Sequence, residues 1–373
     1  MRTVRALFLF LGSFVCVTAA QARQSGVLLG AAVSFAEEGS DTQDFATIHA
    51  PAYQSLWIAR DAAGELKVLA VFPELIIPRS DGFCHVGIAQ VCEFQENNES
   101  LRQVLWAAPV AKAGEVEQST ACTPHKPDDY AGPYLRSEAD KDKISQCGFE
   151  LLNILYVSPE ILSTSAYSGQ SEDCEARGGR YTLDYRVRKF DSAQPASLSE
   201  LLGPKAKAAF ARALPKQGQG DGGEECAETN PDDDRGWRIA HKRGRWRPYV
   251  HQSLGYFGCA ADAPLGLTLP TSLTGESPAA VDWKLLQSKM PGVADAYFSP
   301  AGDMLIAVSH SEVGFYELRA GVPGKLLLKL PAAGIVMTQW ATGTHVHDWT
   351  EQLARLATQN LPPPVTRVKP AAP

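Results

Sequence analysis

The chain has 373 residues, and its 35 lysines and arginines against 42 aspartates and glutamates give a net charge of −7. That balance argues against sequence-independent binding to nucleic-acid phosphates. With 45% hydrophobic and 21% charged residues the composition is globular, and the length is enough to bury a large core and to divide into two or more units.

The first element is a signal. Arg2 and Arg5 precede Ala6 to Ala20, a run of 15 uncharged residues, and Ala20-Gln21-Ala22 supplies a small-x-small site. A basic start, a short apolar core and such a site predict a cleaved secretory signal over residues 1–22. A membrane-spanning helix needs about 20 apolar residues, so the mature chain is expected not to span a membrane. Cleavage removes two arginines and leaves a net charge of −9. The expected location is periplasmic or extracellular.

Export makes disulfides the default for the seven cysteines beyond Cys16. Cys84 and Cys92 bracket a short apolar stretch, so a stapled hairpin or loop is expected there. Cys122 with Cys147, and Cys226 with Cys259, flank polar loops. Cys174 is left over. No C-x-x-C occurs, so neither a zinc ribbon nor a thioredoxin-type centre is signalled.

Residues 23–110 read as a small β-rich domain. SLWIA at 55–59 runs into the turn Asp61 to Gly64. LKVLAVFPELII at 66–77 is broken by Pro73, and Asp81-Gly82 precedes Phe83 to Phe94. Residues 111–148 are polar and read as a linker or long loop. Residues 149–360 read as an α+β domain. In it, Tyr181, Leu183, Tyr185 and Val187 alternate with Thr182, Asp184, Arg186 and Arg188, as in a half-buried antiparallel strand. A short helical turn at 197–203 and a helix opened by Pro204 follow. The Gly- and Asp-rich run 217–235 reads as an inserted surface loop. A helical stretch near Ala279 to Met290 precedes strands at 294–298, 304–309, 313–318, 325–330 and 334–340. The last helix is expected to start at Asp348 as N-cap, with Trp349, Leu353 and Leu356 on one face. Pro362-Pro363-Pro364 ends it, and residues 361–373 are expected to be disordered. The fold class is thus α+β: a small N-terminal β domain plus an antiparallel sheet domain with a few helices on one face.

Three segments carry chemistry. Arg243, Arg245 and Arg247 with Lys242 form the basic cluster, and Trp246 among them could stack on a ligand while the cations fork onto an anionic envelope polymer. The alternative is a strand surface with Trp246 inward, neutralised by the nearby aspartates. His345 and His347 would point to one side of a strand and could share a metal, with His310 as a third ligand. The alternative is a loop before the last helix. Asn230, Asp232, Asp233 and Asp234 offer oxygens for calcium but lack the alternating spacing of a calcium loop. No cofactor is signalled, and no serine sits in a G-x-S-x-G elbow.

Three segments also carry a resemblance. They are Ile154 to Ser163 (ILYVSPEILS), Tyr181 to Phe190 with the turn and helix after it, and Tyr297 to Gly302 (YFSPAG) with Glu312 to Tyr316 (EVGFY). Together they resemble the extracytoplasmic domain of lysozyme-sensing anti-sigma factors, a domain also found beside peptidoglycan deacetylases. The resemblance covers about residues 149–330. It implies an α+β binding module at the cell envelope and a lysozyme-like protein or envelope glycan as partner, and it transfers no catalytic residue. The expectation is therefore an exported, envelope-associated, noncatalytic binding or accessory protein. The alternative is a hydrolase of envelope polymers using acidic or histidine residues not identifiable in the sequence.

Overall fold

The computed structural model describes residues 24–33, 51–80, 82–95, 98–109, 145–170, 181–190, 192, 194–214, 229–253, 260–274, 282–331 and 334–359. Over these the fold is a set of mostly antiparallel sheets with a few helices. The expected signal, most of the expected linker, Cys122, Cys174, Cys226, Cys259 and the Pro-rich tail lie outside them. Among the described residues no helix is long and apolar enough to cross a membrane.

The first sheet has the order β17-β1-β2-β3, from Gly334–Thr342, Ser25–Ala32, Tyr53–Arg60 and Leu66–Phe72. All eight residues of β1 are buried. Side chains alternate along a strand, so Val27 and Leu29 enter one core while Leu28 and Ala32 enter another on the opposite face. A strand covered on both sides reads as an unbroken apolar run, which is what SGVLLGAA is.

The second sheet has the order β4-β5-β6-β7-β8-β9. Its strands are Leu75–Arg79, Gly82–Gln95, Asn98–Pro109, Ser145–Val157, Ile161–Gln170 and Tyr181–Lys189. Strands β6 and β7 pair in parallel only from Asn98–Arg102 to Ser145–Glu150. Beyond that point the freed N–H groups of β7 find side chains instead. Leu152 donates to Gln103 Oε1 at 2.8 Å, and Ile154 donates to the Tyr53 hydroxyl at 2.6 Å. A buried backbone donor left unpaired would cost about 1–3 kcal/mol, so these two side chains close the split. Burial pushes the Tyr53 phenol far above its usual range, keeping it protonated.

These sheets cross the boundary expected between residues 110 and 149. Strands β1 to β3 share a sheet with β17, and β4 to β6 share one with β7 to β9. Among the described residues, the strands of 23–110 form no sheet of their own.

The third sheet is a meander, β10-β11-β12, from Trp237–His241, Trp246–Ser253 and Ala260–Pro264. It packs across β9. Gly236, just before β10, forms a bridge with Arg186 and comes so close to His251 that an added Cβ would lie 2.2 Å from its carbonyl oxygen. Only glycine allows that approach. The fourth sheet is β13-β14-β15-β16, from Asp295–Phe298, Met304–Val308, Glu312–Arg319 and Val322–Pro331. The Ser25 amide ties it to the first sheet by donating to Asp303 Oδ2 at 3.0 Å.

Helix α1 (Leu198–Leu202) begins at the N-cap Ser197, and α2 (Pro204–Ala213) follows with Pro at its first position. Their Leu198, Ala206 and Phe210 enter the same core as Trp237, Trp246 and Phe315. Helix α3 is one turn, Thr271–Thr274. Helix α4 (Trp283–Lys289), capped by Asp282, sets Leu286 against Phe298 and Leu305 of the fourth sheet. Helix α5 (Thr344–Gln359) lies against β2, β3 and β17, burying Leu353 and Leu356.

Candidate functional site

Strands β10 and β11 meet in a two-residue turn. Lys242 N–H donates to Arg245 O at 2.9 Å, and the two central residues, Arg243 (φ 52°) and Gly244 (φ 79°), both take positive φ. That is the primed turn whose twist suits a hairpin. A glycine takes this backbone freely, whereas an arginine there costs about 1–2 kcal/mol.

The register sorts the hairpin into two faces. His241 opposes Trp246, and Arg238 opposes Tyr249. Trp237, Ile239, Trp246 and Val250 are buried. Lys242, Arg243, Arg245 and Arg247 are exposed. Among the described residues none of these four cations makes an ion pair. The aspartates expected to neutralise them are engaged elsewhere: Asp232 with Lys207 at 3.2 Å, Asp233 with Arg235 at 3.1 Å, and Asp234 accepting the Ser199 amide at 2.8 Å beside α1. Those contacts also leave the Asn230 to Asp234 run as a braced set of turns rather than a calcium loop.

The expected cluster is therefore corrected in one member. Trp246 does not face solvent with the arginines. Its ring packs 4.3 Å from that of Tyr156 and 4.6 Å from that of His241, inside the core. Alternation along β11 forces this, because residues 245 and 247 cannot share a face with 246. The aromatic rings that share the outward face are further along. The Arg238 guanidinium lies 4.8 Å from the Tyr185 ring and 5.0 Å from the Tyr249 ring, and it pairs with Asp262 at 3.0 Å.

Beneath the turn lies a pair that no sequence motif signalled. His241 Nδ1 is 2.6 Å from Asp295 Oδ2, and the imidazole is 4% exposed. Its ring stacks on Tyr297 at 3.9 Å and 15°. A carboxylate only accepts, so Nδ1 donates to Asp295. Nε2 is buried without a partner among the described residues. An aspartate-oriented imidazole is half of a nucleophile–base arrangement. No serine, threonine or cysteine among the described residues hydrogen-bonds to Nε2.

His345 and His347 do not lie on a strand. Both fall in the first turn of α5, where residues two apart do not face each other. His345 sits 3.8 Å from Asp348, and His347 sits 3.2 Å from Glu351. His310 is exposed in the turn between β14 and β15. The shared metal site expected from strand geometry is thus not formed, and among the described residues no cluster of three or more His, Cys, Asp or Glu could hold a metal.

Cys84 and Cys92 lie on one continuous strand, where Cys84 opposes Pro109 and Cys92 opposes Leu101. At about 3.3 Å per residue their Cα atoms stand roughly 26 Å apart, against the 4.4–6.8 Å that a disulfide spans. The expected Cys84–Cys92 staple is excluded. The pairs Cys122–Cys147 and Cys226–Cys259 involve residues outside those described.

No family model matches the chain, and no curated protein matches it. Among solved structures it is similar to a DUF3298 family protein from Pseudomonas aeruginosa PAO1, at 9% identity and a TM-score of 0.22, over 48% of this chain and 90% of that one.

Proposed function

We propose that this is an exported, envelope-associated, noncatalytic binding protein that holds an anionic glycan polymer on the exposed face of the β10–β11 hairpin. One observation carries the reading. Four cations fall within six consecutive residues, all are exposed, and none is ion-paired among the described residues. In a chain of net charge −7, a polyanion is repelled by most of the surface and drawn to this tip. Arginine forks suit phosphate or carboxylate groups.

Export is supported by the basic, apolar and small-residue pattern of residues 1–22. The resemblance to lysozyme-sensing domains would favour a lysozyme-like protein as partner. The single-sign, unpaired charge of the hairpin favours the glycan.

The test uses the mature chain, residues 23–373. Its affinity is measured by calorimetry for a poly(glycerol phosphate), a polyuronic acid and a neutral β-1,4-glucan, at two salt concentrations. Binding is expected for at least one anionic polymer, weakening with salt, and none for the neutral one. Which anionic probe binds separates phosphate from carboxylate recognition. Changing Lys242, Arg243, Arg245 and Arg247 together to Gln is expected to weaken it roughly tenfold or more, since exposed charge contacts each contribute about 0.2–1 kcal/mol. Unchanged binding by that variant, exclusive binding of lysozyme, or steady release of sugar fragments would overturn the reading.

A further inference from the structure

We infer that Asp295 is the positioning residue of the cationic hairpin: it binds the turn at two points and holds the four cations in a fixed outward array. This rests on the glycan-binding reading above and deepens it. Asp295 belongs to a different sheet, at the start of the edge strand β13. Its Oδ2 takes the imidazole of His241, the last residue of β10, at 2.6 Å. Its Oδ1 accepts the amide of Gly244, the second turn residue, at 2.9 Å, and that of Ala296 at 2.8 Å. The two hairpin contacts fall on either side of Lys242 and Arg243, so one carboxylate fixes the segment in which arginine adopts the left-handed backbone.

The neighbours on β13 complete the clasp. Tyr297 stacks on His241. Phe298 lies under Gly244 so closely that an added Cβ would sit 2.9 Å from its ring. The turn is therefore seated on Asp295, Tyr297 and Phe298 rather than standing free. A tip ordered in advance avoids the entropy cost of ordering long side chains and backbone at the moment of binding.

Charge and position make opposite predictions here. Asp295 is an anion beneath four cations. If it acts only through its charge, removing it raises the local positive potential and tightens binding of a polyanion. If it positions the turn, removing it weakens binding even though the site becomes more positive.

The experiment compares the mature wild-type chain with Asp295→Ala and Asp295→Asn, using whichever anionic polymer the wild type binds. Amide hydrogen exchange at Gly244 is followed without ligand. Asp295→Ala is expected to bind about threefold to tenfold more weakly, the loss corresponding to one or two hydrogen bonds. Asp295→Asn, which keeps an oxygen for Gly244, should recover part of that. Gly244 exchange should quicken in Asp295→Ala while amides of β1 and β2 stay protected, which separates loosening of the tip from global unfolding. Equal or tighter binding by Asp295→Ala would overturn the inference while leaving the hairpin reading intact. Unchanged Gly244 protection would overturn it whether or not any polymer binds. A wild-type chain that binds no polyanion fails the earlier reading, and the exchange measurement still decides whether the clasp exists.

Discussion

At the scale of single residues, His251 joins two sheets. Its Nε2 donates to the Leu183 carbonyl of β9 at 2.9 Å, and its ring stands edge-on to Tyr185 at 4.5 Å. Its Nδ1 is buried with no partner among the described residues. Burial pushes its pKa below the usual 6.5, outweighing the Leu183 contact and the nearby Asp262 and Asp184, which favour the charged ring, while Arg238 opposes it. Because the folded value is depressed, the unfolded chain takes up the proton first as pH falls. The stability this group contributes is complete above pH 6.5 and is lost as pH falls from there toward the folded value. Urea midpoints at pH 7.5 and 5.5 should show a smaller loss for His251→Gln than for the wild type, with a difference in slope of at most about 1.4 kcal/mol per pH unit, the limit for one proton. Equal slopes would show that His251 is not the group responsible.

At the scale of elements, α5 shows what a sequence pattern does and does not specify. The stripe Trp349, Leu353, Leu356 was legible from spacing alone, and it packs on Trp57 and Phe83 as such a stripe should. Its start was not legible. The Asp348–Glu351 pattern resembled a capping box, yet the helix begins four residues earlier, at Thr344, after Gly343 with φ 60°. Thr350 Oγ1, which donates to the Val346 carbonyl at 2.7 Å, also accepts from Trp57 Nε1 at 3.0 Å, and that tertiary contact was invisible in local sequence. The error carried over to the histidines, since geometry argued for a strand does not hold on a helix. The same limit explains the hairpin. The basic cluster was legible as charge, but His241 and Asp295 lie 54 residues apart, and no local pattern links them. Leu353→Ala, at a fully buried position, should cost about 2–5 kcal/mol. His347→Ala, on the exposed face, should stay within about 0.5 kcal/mol. Chemical denaturation of both variants checks the contrast, and similar losses would mean that α5 is not docked by this stripe.

At the scale of the whole molecule, the first sheet decides what can fold alone. Ser25 pairs with Thr342, and the register runs from there to Ala32 against Gly334. An early strand thus needs a late one on one side and β2 on the other. Sequence reading placed a boundary near residue 110 because strands there follow one another closely and a polar stretch comes next. Strand partners are chosen by burial across the whole chain, which period-2 patterning does not encode. The double burial of β1 is the physical reason a cut near residue 110 separates strands that need each other. Its Leu28 face joins Trp57, Ile76 and Leu353, and its Leu29 face joins Phe210, Trp237 and Phe315. Removing residues 332–373 would therefore expose Val27 to Leu29 along one edge and strip Leu353 and Leu356 from the core beneath. Each large apolar side chain returned to water forfeits about 1.5–3 kcal/mol, and a native chain has only about 5–15 kcal/mol to lose. The truncated chain 23–331, and likewise the fragment 23–110, should show no protected amides in hydrogen exchange. The chain 23–373 should protect β1 and β17 together, with the same opening free energy for both strands. Persistent protection of β1 in either shortened chain would mean that β17 and α5 are an added layer on a core that is complete without them.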